Sequence, residues 1–138
     1  MFQIGTFYKC FEFSKYKELE DSLRDYCSKR KIKGTIILTP EGVNATVSSE
    51  RERSLEELNE FLNDSIGTIK FRFSISDISP FKRLKIKKRQ ELVPSGTKGR
   101  SFDYQGNYLT PLEWSNFVED PNNIIIDVRN DYENKVGT

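Results

Sequence analysis

From Phe2 to Ser76 the spacing of apolar residues switches repeatedly between a period of two and a period of three to four, and that order of periods leaves few folds open. Phe2 to Phe13 is rich in aromatic and β-branched residues and reads as a strand. Ser14 is placed as a helix N-cap, and Tyr16, Leu19, Leu23 and Tyr26 or Cys27 form an apolar stripe on a helix ending near Lys31. Gly34 breaks it. Thr35 to Thr39 is a short apolar strand, Pro40-Glu41-Gly42 carries turn chemistry, and Val43, Ala45 and Val47 alternate along the returning strand. Ser54 and Glu57 have the spacing of a capping box, with Leu55, Leu58, Phe61 and Leu62 as the buried face of a second helix. Ile69, Phe71, Phe73 and Ile75 then alternate with Lys70, Arg72, Ser74 and Ser76, the pattern of a half-buried antiparallel strand.

Strand, helix, strand, strand, helix, strand is the order of an α+β, ferredoxin-like (split β-α-β, acylphosphatase-like) domain, in which two helices cover one face of a four-stranded sheet. Leu84 and Ile86 alternate with Lys85 and Lys87, so a further extended segment follows, expected to run out of the sheet toward Glu91-Leu92-Val93. Pro94-Ser95-Gly96-Thr97-Lys98-Gly99 is turn and linker chemistry, which divides the chain into a domain over 1–93, a linker over 94–107 and a second region over 108–138. There Thr110 is an N-cap, Pro111 takes the first helical position, and the helix runs through Phe117 or Val118 before Pro121-Asn122-Asn123 ends it. Ile124, Ile125 and Ile126 have no polar alternation, as in a strand of a parallel α/β sheet covered on both faces. Such a strand needs neighbours that the remaining residues are too few to supply. The expectation is therefore the truncated start of an α/β domain.

Composition removes several chemistries. Without histidine the chain can hold no Ser-His-Asp triad, Cys-His pair or His-ligated zinc. Cys10 and Cys27 make neither a disulfide framework nor a metal-ligand spacing, so no metal site is expected. No apolar run approaches the roughly 18 residues of a membrane span, and a cytoplasmic protein is expected. The net charge of +1 hides a basic middle: Lys82, Arg83, Lys85, Lys87, Lys88, Arg89, Lys98 and Arg100 face only Glu91 between Phe81 and Arg100.

That basic stretch suits the phosphates of a nucleic acid, although lysines at 85 and 87 are equally what the solvated face of an edge strand carries. Glu41, Gly42 and Asn44 form the sharpest local motif. A carboxylate beside an amide at a hairpin tip can contact a base edge or ribose, while Gly42 and Asn44 equally serve the turn itself. Asp127 and Arg129 stand at the C-terminal end of the isoleucine strand, the edge where α/β sheets place ligands. Trp114 is read as a packing residue.

Asp127-Val128-Arg129 with Glu133 and Gly137 resembles the first signature of rhodanese-like domains, although Thr138 stands where that signature commonly has His. In those domains the Asp and Arg are mainly structural, tying the strand end to nearby loops by a buried ion pair. Together with "GTIILTPEGVNATVS", "SPFKRLKIKKRQELV" and "YLTPLEWSNFVED", the signature makes nearly the whole chain similar to the prokaryotic tRNA uridine hydroxylase family, which joins a ferredoxin-like domain to a rhodanese domain. The resemblance implies 5-hydroxyuridine formation at the wobble position of tRNA, with molecular oxygen as co-substrate and the anticodon loop as the bound element. No other cofactor is identifiable. The family's catalytic cysteine lies some tens of residues beyond the Asp-Val-Arg strand, and neither Cys10 nor Cys27 matches it, so no catalytic residue is expected in this chain and it is expected to be inactive alone.

Two other functions fit the same fold. A stand-alone RNA-binding or protein-interaction module usually shows aromatics in a Gly-flanked strand, whereas Phe71 and Phe73 lack the glycines and alternate as if buried. An acylphosphatase-like hydrolase needs an anion-binding Arg after the first strand, where "FEFSKYKE" has only Lys15 and Lys17. Fold alone separates none of them.

Overall fold

The structure is a computed structural model describing residues 1–92 and 106–137. These fall into two compact units, one within Met1–Phe102 and one within Asp103–Thr138. Val93, Lys98, Arg100 and most of the expected linker lie outside the described residues.

The first unit runs β1 (Phe2–Cys10), α1 (Leu19–Lys29), β2 (Lys33–Thr39), β3 (Gly42–Ser49), α2 (Ser54–Ile66), β4 (Arg72–Ser76) and β5 (Leu84–Lys88). The sheet order is β4-β1-β3-β2-β5. Pairing is antiparallel for β1 with β3 and β4 and for β2 with β3, and parallel for β2 with β5. The split β-α-β order is thus realised. However, the segment expected to leave the sheet extends it as a fifth strand, and Arg89 N–H continues the ladder by donating to Leu38 O at 3.0 Å.

Across the middle of the sheet, Phe7, Ala45, Ile36 and Ile86 lie side by side in register, and all four are buried. They share one core with Leu19, Leu23 and Cys27 of α1 and Leu55, Leu58, Leu62 and Ile66 of α2. Both helices therefore cover the same face. Each fully buried leucine contributes about 1.5–3 kcal/mol through apolar area removed from water.

Local signals misplace several boundaries. Ser14 caps nothing: residues 14–18 form turns, Tyr16 N–H donates to Phe13 O at 3.3 Å, and α1 begins at Leu19 with Glu18 as N-cap. Tyr16 is buried with the core but stands outside the helix. The expected capping box at Ser54 and Glu57 is also absent, because Ser54 is the first residue of α2, buried with its Oγ unpaired, and Arg53 precedes it in the left-handed region at φ 59°. Glu57 instead accepts from Arg30 Nε at 2.7 Å, and Arg30 lies 3.7 Å over the Tyr26 ring. That guanidinium holds the Glu57 carboxyl below its ordinary range.

β4 is shorter than its alternation suggests. Ile69 is buried and Phe71 half-buried, yet Phe73 and Ile75 are 47% and 70% exposed. β4 is an edge strand, and alternation fixes which way a side chain points without guaranteeing that anything covers it.

The second unit contains α3 (Pro111–Glu119) and α4 (Asp131–Asn134). Thr110 and Glu113 form a reciprocal capping box before Pro111. Ile124–Ile126 forms no strand, and Ile124 and Ile126 are 84% and 79% exposed. A strand exists only by hydrogen bonding to a neighbour, and the described residues of this unit supply none.

Candidate nucleic-acid interface

None of the five strands contains an Asp or Glu, while α2 carries Glu56, Glu57, Glu60 and Asp64 and no base. Strand parity then sorts the bases. Side chains alternate across a sheet, so residues adjacent to the buried row must face away from the helices. One such row is Arg72, Thr6, Thr46, Thr35 and Lys85, crossing all five strands in register. The next is Tyr8, Asn44, Ile37 and Lys87. Thr6 Oγ1 lies 3.3 Å from Thr46 Oγ1, Tyr8 is 56% exposed, and Lys33 stands beside Ser48 one row further along. The result is a continuous face left open by both helices, carrying hydroxyls, an amide and an aromatic ring, with Arg72 at one edge and Lys85 and Lys87 at the other. From Arg72 to Lys85 it spans four interstrand steps, roughly 19 Å.

Parity also divides the basic run. Lys85 and Lys87 are exposed on the open face. Lys88 shares the face of Ile86 and reaches α1, where its Nζ lies 2.6 Å from Glu20 Oε2. Lys88, and then Arg24, hold the Glu20 carboxyl below its ordinary range. Lys88 is therefore neutralised in place and leaves the candidate interface. Lys82, Arg83 and Arg89 are exposed just before and after β5, and Arg83 O accepts from Gly34 N–H at 3.2 Å. Lys9, the remaining strand base, also points to the helix side and donates to Ile66 O at 2.7 Å.

At the hairpin tip the three motif residues part company. Gly42 has φ +135°, and a Cβ there would lie 2.0 Å from Lys9 O, so both the backbone angle and the closeness of β1 demand glycine. Thr39 Oγ1 accepts from Glu41 N–H at 3.1 Å and donates to Gly42 O at 3.1 Å, closing the turn. The Glu41 carboxylate accepts from Leu92 N–H at 3.0 Å, tethering the chain beyond β5 to the hairpin. Only Asn44 is exposed on the open face.

The loop between β1 and α1 is tied to the hairpin tip through its backbone. Phe11 N–H and Phe13 N–H donate to Glu41 O and Pro40 O at 3.1 and 2.8 Å, so these two amides are not available to a ligand. Phe11 and Phe13 stack there at 5.0 Å. Cys27 is fully buried, and burial pushes its thiol up to about 12, which keeps it protonated and unreactive.

In the second unit, Arg129 and Asp127 form an ion pair at 2.7 Å that is exposed instead of buried. Arg129 hydrogen bonds hold the Asp127 carboxyl down to about 2, and Arg129 also donates to Gly137 O at 2.8 Å. Glu133 and Asn130 cap α4 reciprocally. These contacts pin a short loop to a short helix. Trp114 stacks on Phe117 at 6.2 Å and is half exposed.

Sequence reasoning missed Thr6, Tyr8, Lys33, Thr46 and Arg72 as parts of one surface. Arg72 was visible on the polar side of β4, but its alignment with Thr6 and, across the sheet, with Lys85 depends on pairing that no local pattern reveals.

The fold and this face define an acylphosphatase-type ferredoxin-like domain whose sheet surface opposite the helices is, among the described residues, cationic. Residues 2–92 match the family model described as the UPF0176 acylphosphatase like domain, and the chain belongs to that family. Curated relatives named tRNA uridine(34) hydroxylase align along nearly all of it. The protein from Wolbachia pipientis wMel is 35% identical over 99% of this chain and 50% of its own length. That from Ehrlichia chaffeensis is 35% identical over 97% and 49%, and that from Picosynechococcus 35% over 99% and 47%. The chain thus spans about half the length of the curated relatives it matches. A solved acylphosphatase from Coxiella burnetii aligns over 62% of this chain and 90% of its own at 12% identity with a TM-score of 0.45, too loose a likeness to bear on function. Among the described residues no helix is long and apolar enough to cross a membrane.

Proposed function

We propose that this chain is the RNA-holding part of a tRNA uridine(34) hydroxylase, and that its open sheet face lies against the anticodon arm. The relatives' shared name supports tRNA as the substrate. The observation that carries the reading is the acid-free face with Arg72, Lys85 and Lys87 at its two edges. A phosphate backbone is bound chiefly by such cations, and the unstacked bases of an anticodon loop offer ring faces and edges to groups like Tyr8 and Asn44.

Oxygen-dependent hydroxylation of uridine carbon 5 is assigned to groups other than Cys27, which is buried and held protonated. Fluorescence anisotropy with an unmodified anticodon stem-loop at low salt tests the proposal. Saturable binding is expected, weakened strongly by Arg72→Glu and by Lys85→Glu with Lys87→Glu. No binding at about 50 mM salt, where phosphate contacts are strong, would overturn it.

A further inference from the structure

We propose that a cleft at the Phe2 end of the open face is a subsite for a phosphate-class oxyanion. The cleft has a volume of about 380 Å³ and is lined by Lys31, Lys33 and Arg51, against the single carboxylate of Glu50. None of the three cations forms an ion pair among the described residues. Phe2 forms an apolar wall.

The cleft also has an unexplained polar group. Ser48, which lines it, is 1% exposed, and its Oγ has no hydrogen-bond partner. Buried hydroxyls are nearly always paired, so an orphan in the wall of a three-cation cleft points to a ligand acceptor. Its surroundings are held firmly. Lys31 sits in the left-handed region at φ 54°, fixed by Lys31 N–H to Ser28 O at 3.1 Å and Ile32 N–H to Cys27 O at 2.9 Å. Ser49 Oγ accepts from Arg51 N–H at 3.1 Å and orders the turn that carries the guanidinium. Lys33 is in register with Ser48 across the β2-β3 pair.

An oxyanion of phosphate size meets these donors, with Arg51 able to engage two oxygens at once and the lysines acting as point charges. Two sources share that chemistry: a phosphodiester of RNA on the open face, and the free phosphate of a small molecule. The RNA source rests on the function proposed above, whereas the subsite does not.

Amide NMR of the 138-residue chain, titrated with inorganic phosphate against chloride at matched ionic strength, reads the site directly. Saturable shifts are expected at Ser48, Ser49 and Arg51, weakened about tenfold by Arg51→Ala or Lys33→Gln, the scale of one charge-assisted hydrogen bond. Ser48→Ala should weaken phosphate without lowering the melting temperature, since the lost hydroxyl is unpaired. Shifts equal to those in chloride, or a titration unmoved by Arg51→Ala and Lys33→Gln, overturn the subsite. A parallel stem-loop titration distinguishes the sources. If Arg51→Ala lowers the salt slope of RNA binding by about 0.7, the source is a phosphodiester; if phosphate saturates the cleft while RNA affinity is unchanged, it is a small molecule. Phosphate uptake with no stem-loop binding sinks the RNA reading and leaves the subsite, and stem-loop binding with no phosphate uptake does the reverse.

Discussion

Replacing Lys85 and Lys87 together by Ala, and in a separate variant Lys88 by Ala, sets neighbouring bases on opposite faces of one strand against each other. Lys85 and Lys87 align with Thr35 and Ile37 on the open face, whereas Lys88 is held at 2.6 Å by Glu20. Each cation taken away from a phosphate lowers the slope of log K against log salt by roughly 0.7–0.9, so the double variant should lose about 1.4–1.8. Raising salt about fourfold, from 50 to 200 mM, would then cost the unmodified chain roughly tenfold more of its affinity than the double variant. Anisotropy with the stem-loop at several salt concentrations measures this. Lys88→Ala should leave the slope unchanged and act elsewhere. Glu20, deprived of its main partner, should titrate closer to an ordinary glutamate by carboxyl NMR. A depressed carboxylate pKa stabilises the fold above the ordinary glutamate range, and that contribution is lost as pH falls through the lowered value, so Lys88→Ala should flatten the acid limb of stability. If Lys88→Ala lowers the salt slope as much as the double variant does, the parity reasoning is wrong.

Gly42→Ala meets both φ +135° and a carbonyl 2.0 Å from the new Cβ, so urea unfolding should show a loss of about 2–6 kcal/mol, while Asn44→Ala on the exposed face should be close to neutral. Cys27, raised from 9.0 to about 12 by burial, should resist thiol reagents at pH 8 at a rate set by unfolding, whereas half-buried Cys10 reacts sooner. Because the folded value is raised, that stabilisation is complete below the ordinary thiol range and is lost as pH rises through it toward about 12. Urea midpoints between about pH 8 and 11 should fall less steeply in Cys27→Ala, and equal slopes would refute the assignment.

Much of the fold was legible because period is a local property. Val43, Ala45 and Val47 alternate in the sequence and are buried in the sheet, and Thr110 with Glu113 caps α3 because both partners lie within one turn. The same locality misleads where a distant group competes. Ser54 and Glu57 have capping-box spacing, but Arg30 draws Glu57 away and Arg53 takes the turn. Ile124–Ile126 has strand composition, yet a strand is a relation between segments, and within the described residues the partner is lacking.

The candidate site divides in the same way. Sequence alone determined that the period-two segments carry mostly bases, and the structure, by ending β1 at Cys10, leaves Glu12 outside the strands. Only the tertiary structure decided which of those bases face outward together. Pairing β1 between β3 and β4, and β5 beside β2, brings Arg72 and Lys85 into one row and turns Lys88 onto Glu20. The physical reason is that alternation sets a side chain's face relative to its own strand, while register across hydrogen-bonded neighbours determines which faces become one surface.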